Sequence, residues 1–188
     1  MLTFSEAQLI DWISPLLWPF LRVLAVFTTM PVFGQRVVPL RVRIGLAGSI
    51  AFAAQALLPE MPRVALDSPG AFVAVAQQLL VGMSIGFAVR IVFAAIEFAG
   101  ELVGLQMGLN YAGFFDPATG GQTTATSRFF GTTVAFLFVI VNGHLLVIAA
   151  VVQSFQTFPV GPEPFAFLRA VRPETWGAEI FQIGRAHV

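Results

Sequence analysis

Few residues in this chain have types and spacing that could do chemistry. Gly82-Met-Ser84-Ile-Gly86 matches G-x-S-x-G, a pattern in which a serine on a sharp turn attacks beside a base. The conceivable base is His144, in another apolar block, which would make the pair an intramembrane serine protease. Yet Ser84 sits in an unbroken apolar, Ala/Gly-rich helical run, where such a match arises readily by coincidence. A second set is ionisable. Arg90 and Glu97 lie two helical turns apart and Glu101 follows Glu97 at i+4, so all three share one face, with Gln106 near its edge. Charges at membrane depth line a cavity, pair with one another or face protein. This stripe therefore reads either as a structural ion-pair network or as a proton or substrate path, the site of a small-molecule transporter.

Other chemistry is excluded by residue type. All ten positive charges are arginine, so a P-loop lysine and a Schiff-base lysine are both impossible. Without cysteine there is no disulfide, Fe–S cluster or thiolate metal site. Two histidines, His144 and His187, are too few for an ordinary zinc site. No cofactor and no metal are expected. A net charge of zero gives no basic face for nucleic acid.

The elements that carry these residues are apolar. Hydrophobic residues make up 57% of the 188 positions and charged residues 11%, well below the roughly one quarter that keeps a soluble surface in water. With a mean hydropathy of +0.83 and apolar residues in long blocks, the chain is expected to be an all-α polytopic membrane protein. The first block runs from about Trp12 to Phe33 and contains Pro15, Pro19, Pro31 and one charge, Arg22, which should not face lipid. A short basic loop, Gly34 to Arg43, follows; its arginine excess would place it in the cytoplasm. Block two, Ile44 to Leu58, is short for a span of about 20 residues. From Gly70 to about Tyr111 there is no proline, which predicts either two segments or one long helix running beyond the membrane. The fourth block, Phe129 to about Val152, has the length of a single span, with Asn142-Gly143-His144 at its middle. After Pro159 the chain turns polar and proline-rich. The first residues lack the basic region and cleavage site of a secretory signal, so insertion is expected to be directed by the first apolar segment.

Two further features concern packing and gating. Gly100, Gly104 and Gly108 form a ladder at four-residue spacing, and Gly82 and Gly86 form another pair; either set lets a second backbone approach closely, within this chain or from another subunit. Between two apolar blocks lies Gly108-Leu109-Asn110-Tyr111-Ala-Gly113-Phe114-Phe115-Asp116-Pro117-Ala-Thr-Gly120-Gly121-Gln122. Its glycines relax the backbone, Asp116-Pro117 suits a type I turn, and Ser127 is expected to cap a helix starting near Arg128. Phe114 and Phe115 either pack at the bilayer interface or act as a stopper that swings on glycine hinges; on physical grounds these stand level.

These residues carry a likeness. The run Met30-Pro-Val-Phe-Gly-Gln-Arg-Val-Val-Pro-Leu-Arg-Val-Arg-Ile-Gly-Leu46 resembles the N-terminal signature of the FliR family of flagellar export proteins. So do Gly86 through Gly108, Phe115-Asp-Pro-Ala-Thr-Gly120 and Asn142-Gly-His-Leu-Leu146, in the expected order and covering the chain to about Gly161. The wording looks closer to the flagellar branch than to its virulence-associated sister. The resemblance implies a non-catalytic core subunit of a type III protein export gate, in the bacterial inner membrane at the flagellar basal body. It implies FliP/FliQ-like helical hairpins packed in a pore-forming assembly, beside FlhB-like and FlhA-like components, through which unfolded flagellar proteins pass. The family's plug loop maps onto roughly Gly108–Gln122, with Phe114 and Phe115 as stoppers. Gly82, Gly86, Gly100, Gly104, Arg90, Glu97 and Glu101 then read as inter-subunit packing and pairing.

The family continues into a further helical hairpin. Residues 1–182 are therefore expected to be a C-terminally truncated export-gate domain. The tail Ile183-Gly-Arg-Ala-His-Val188 is expected to be a translated sequencing adapter.

Overall fold

The computed structural model describes residues 6–35, 37–59, 61–62, 64, 68–108 and 124–161. Among the described residues the protein is helical throughout: α1 (Glu6–Thr29), α2 (Leu40–Ala54) with a single 3₁₀ turn (Gln55–Leu57), α3 (Pro69–Gln106), α4 (Ala125–Ile140) and α5 (Gly143–Thr157). The all-α expectation holds. The 183–188 tail lies outside the described residues.

The proline-free stretch folds as one helix. At 1.5 Å per residue the 38 residues of α3 run about 57 Å, nearly twice a hydrocarbon core of about 30 Å. It begins with Pro69 at its first turn, where a missing N–H costs nothing, and ends at Gly108, whose φ of 73° is the left-handed conformation that stops helices. Helix α1 continues through Pro15 and Pro19. Among the described residues two helices, 40–57 and 69–106, are each long and apolar enough to cross a membrane.

The fourth apolar block is not one straight helix, though its two halves together are long and apolar enough for a broken span. Its helix breaks at Val141–Asn142 and the two halves, α4 and α5, meet at 68°. Asn142 adopts φ 57°, a left-handed conformation that asparagine tolerates better than most residues. At the next position, Gly143, a side chain would strike the Phe138 ring and carbonyl. Asn142-Gly143 is thus a turn in the middle of an apolar run.

Helix α3 is the spine. Gly82 of α3 meets Arg22 and Ala25 of α1, and Gly86 meets Val26 and Thr29, so α1 runs parallel to the first half of α3. Beyond the end of α1, Glu97 meets Gly131, Gly100 meets Phe130 and Phe93 stacks edge-on against Phe138, so α4 runs antiparallel along the second half. The bend at Asn142 then returns α5 to the first half, where Gln77 reaches the Pro159 carbonyl. The core gathers Trp18, Val26 and Phe27 of α1 and Met30 just past its end with Ala47 of α2, Ala74 of α3, Val147, Val151 and Phe155 of α5, and Val160.

Candidate functional site

The glycines fill specific seats. A Cβ on Gly82 would lie 2.7 Å from Ala25 Cβ and nearer still to the Arg22 carbonyl oxygen; one on Gly86 would collide with the Thr29 hydroxyl and come within 2.9 Å of the Val26 carbonyl. Gly100 would crowd Phe130 at 2.9–3.0 Å, and Gly104 is buried on the same stripe. At Gly82, Gly86 and Gly100 the close approach is made by helices of the same chain.

The ionisable stripe faces elsewhere. Arg90 and Glu97 line an open groove of about 770 Å³ between the end of α1, the middle of α3 and the start of α4, with Phe93, Ser127, Arg128 and Thr132 on its walls. Arg90, Arg128 and Glu101 are exposed, while Glu97 is half-buried, its carboxylate seated where a side chain on Gly131 would go. Arg90 and Glu97 share the groove without forming an ion pair. The groove is mixed in sign and open.

Ser127 has a different task from the one its position near Arg128 suggested. The helix starts three residues earlier, at Ala125, and Thr124 is the cap: its Oγ1 accepts from the Ser127 backbone N–H at 3.2 Å. The Ser127 hydroxyl is buried and donates to the Glu97 carbonyl at 2.9 Å, tying α4 to α3. Ser84 lies within the continuous α3 helix, its hydroxyl donating to the Leu80 carbonyl at 2.8 Å. The sharp turn that G-x-S-x-G chemistry requires is missing. His144 Nδ1 is buried with no hydrogen-bond partner among the described residues.

Of the proposed plug loop, Gly108 closes α3 with its positive φ, and Gly108 N donates to the Leu105 carbonyl. Leu109 through Gly121, including Phe114 and Phe115, lie outside the described residues.

A buried polar network centres on Arg22, whose burial its place in an apolar block foretold but whose partners sequence reasoning missed. Its side chain is fully buried. Nε donates to Gln78 Oε1, one Nη to Ser154 Oγ and the other to the Phe158 carbonyl, each at 2.8 Å. The guanidinium also lies 3.6 Å from the centroid of the Phe155 ring, a cation–π contact. Gln78 passes the network to Gln77 at 3.0 Å, and Gln77 donates to the Pro159 carbonyl at 3.1 Å. The adjacent pair Gln77-Gln78 inside an apolar helix was the available signal.

Together these features define an all-α membrane protein whose own helices are closed by small residues and one buried polar knot. Residues 13–185 match the bacterial export proteins, family 1. The chain is 39% identical over 175 residues to the flagellar biosynthetic protein FliR of Pectobacterium carotovorum subsp. carotovorum, covering 92% of this chain and 67% of that one. It is 40% identical over 164 residues to FliR of Escherichia coli K12 (87% and 62%) and 32% identical over 170 residues to FliR of Bacillus subtilis 168 (87% and 65%). The chain belongs to the FliR family of bacterial export proteins, and it spans about two thirds of the length of these curated relatives.

Proposed function

We propose that this protein is a non-catalytic core subunit of the flagellar type III protein export gate. The observation that carries the reading is 39–40% identity to two FliR proteins over most of the chain. The fold supports it. Helix α3 outruns a hydrocarbon core, and its outward face, with that of α4, carries large exposed apolar side chains such as Phe87, Phe98, Phe129 and Phe136. Such a surface needs cover from lipid along part of its length and from other subunits along the rest. In this proposal the cover comes from FliP-like and FliQ-like subunits, with FlhB-like and FlhA-like components alongside, in the bacterial inner membrane at the flagellar basal body. Unfolded flagellar proteins are the cargo.

The loop Gly108–Gln122 is proposed as the plug, with Phe114 and Phe115 blocking the resting pore. Deleting Gly113–Gly121 from the full-length protein in an assembled gate is expected to let ions and small molecules leak across the membrane. A correctly assembled gate that stays tight without those residues overturns the plug role. A transporter using Arg90 and Glu97 instead predicts solute uptake by vesicles holding this protein alone, where a gate subunit is inert.

A further inference from the structure

A buried guanidinium in an apolar helix needs compensation from its surroundings. The groups that meet Arg22 are a glutamine oxygen, a serine hydroxyl, a backbone carbonyl and a ring face. Three of these four, Ser154, Phe155 and Phe158, belong to the last turn of α5 or its C-terminal boundary. A helix C-terminus carries about half a negative charge and leaves its last carbonyls without partners inside the helix. Arg22 therefore supplies the positive charge and the donors that this end lacks. Gln77 adds a donor one residue further on, at the Pro159 carbonyl. Two successive carbonyls just past α5 are thus held by side chains from two other helices, and Val160 follows them into the core.

We propose that Arg22, acting with Gln77 and Gln78, is a clamp that fixes the direction in which the chain leaves α5. It is a positioning residue: it orients the Phe158–Gly161 exit, to which everything C-terminal is attached. Arginine suits this role because its planar fork reaches three partners at set angles, which a lysine ammonium cannot. The family match extends past this exit, to residue 185. The clamp thus sets how the following segment is presented to the rest of an assembly.

Spin-label distance measurements on the full chain in lipid nanodiscs test this. The chain has no cysteine, so labels go only where they are placed. Gly161→Cys meets no atom within 4 Å, and Ala76→Cys is on the exposed side of α3 near Gln77. A reference pair, Thr28→Cys with Phe87→Cys, joins exposed positions on α1 and α3. R22M is expected to broaden the 76–161 distribution roughly twofold, as a segment freed of a buried tie samples local openings, while the 28–87 distribution keeps its width. R22K is expected to restore only part of the narrow distribution. An unchanged 76–161 distribution in R22M overturns the clamp, and so does equal broadening of both pairs, which would make Arg22 general fold support. Should R22M not give a monodisperse protein, Q77M decides the question, because it cuts the Pro159 tie and the Gln78 contact while leaving the three hydrogen bonds that Arg22 donates. Broadening at 76–161 then supports the clamp, and an unchanged distribution overturns it.

Discussion

One methyl group at Gly82 is expected to part α1 from α3. A Cβ there lies 2.7 Å from Ala25 Cβ and closer to the Arg22 carbonyl, which as backbone cannot rotate away. Carbon contacts sit at about 3.5–4.0 Å, so the helices must separate by about 1 Å, forfeiting roughly a quarter to a half of each dispersion well across the seam. A buried side chain makes about 40–60 contacts of about 0.1–0.2 kcal/mol each; with roughly a third of them crossing the seam, each bordering side chain loses a little under about 1 kcal/mol. Three such side chains lose about 2–3 kcal/mol in all, and stretching the Arg22–Gln78 hydrogen bond one turn away adds about 1 kcal/mol. Against this, alanine is better than glycine in a helix interior by about 1 kcal/mol. The clash wins, by about 2–3 kcal/mol net, a fall in thermal midpoint of about 4–12 °C for a chain of this size. The midpoint is read from the surviving monodisperse peak after heating the detergent-solubilised protein. Gly48→Ala is the control, because its Cβ meets nothing within 4 Å and it should stabilise α2 by up to about 1 kcal/mol. A Gly82→Ala protein as stable as the parent, or a Gly48→Ala protein equally damaged, would refute the reasoning.

The second half of α3 gives a second version of the same test. Gly100→Ala crowds Cβ, Cγ and Cδ2 of Phe130, so combining it with Phe130→Ala, which removes the last two, should cost less than the sum of the two changes, with a coupling above about 0.5 kcal/mol in a double-mutant cycle; additive effects would deny the contact. Ser84→Ala removes only a hydroxyl bonded within its own helix, and should change stability by no more than about 0.5 kcal/mol and leave motility intact in a complemented strain. Lost motility with normal protein levels would reopen a chemical role for Ser84.

How much of this was legible in the sequence depended on whether the deciding contact was local. The absence of proline between Gly70 and Tyr111 allowed an unbroken α3 but left two segments equally open, whereas membrane character followed from composition. The break at Asn142 was also written locally, since Asn-Gly is a turn signal, but an apolar run of the right length for a span outweighed it. The cap was misplaced by one helical turn because Thr124 and Ser127 are both competent acceptors and only the start of the helix separates them. The glycine seats were visible as spacing and not as partners. A ladder states that something approaches closely; whether it is α1, α4 or another subunit is a tertiary fact. The Arg22 knot was least accessible, since its partners lie 56 to 136 residues away and include backbone carbonyls, which no residue type announces.

The distribution of side-chain size along α3 separates what folds this chain from what it offers to others. Its inward positions are small or polar: Ala71, Ala74, Gln77, Gln78, Gly82, Gly86, Gly100 and Gly104 are buried, and Val81 and Phe93 are the large exceptions. Its outward positions include Phe72, Phe87, Ile91, Val92 and Phe98. A soluble helix arranges these the other way, because water drives its largest apolar groups inside. In an apolar medium that drive vanishes, and helices of one chain associate through close backbone approach and buried hydrogen bonds. Gly82 against the Arg22 carbonyl and Ser127 on the Glu97 carbonyl are both contacts of that kind. Closing the chain with small residues leaves phenylalanines such as Phe87 and Phe98 on the outside. Substitutions at the inward glycines should therefore cost stability of the single chain, whereas substitutions at Phe87 or Phe98 should leave the chain folded and impair its embedding or assembly.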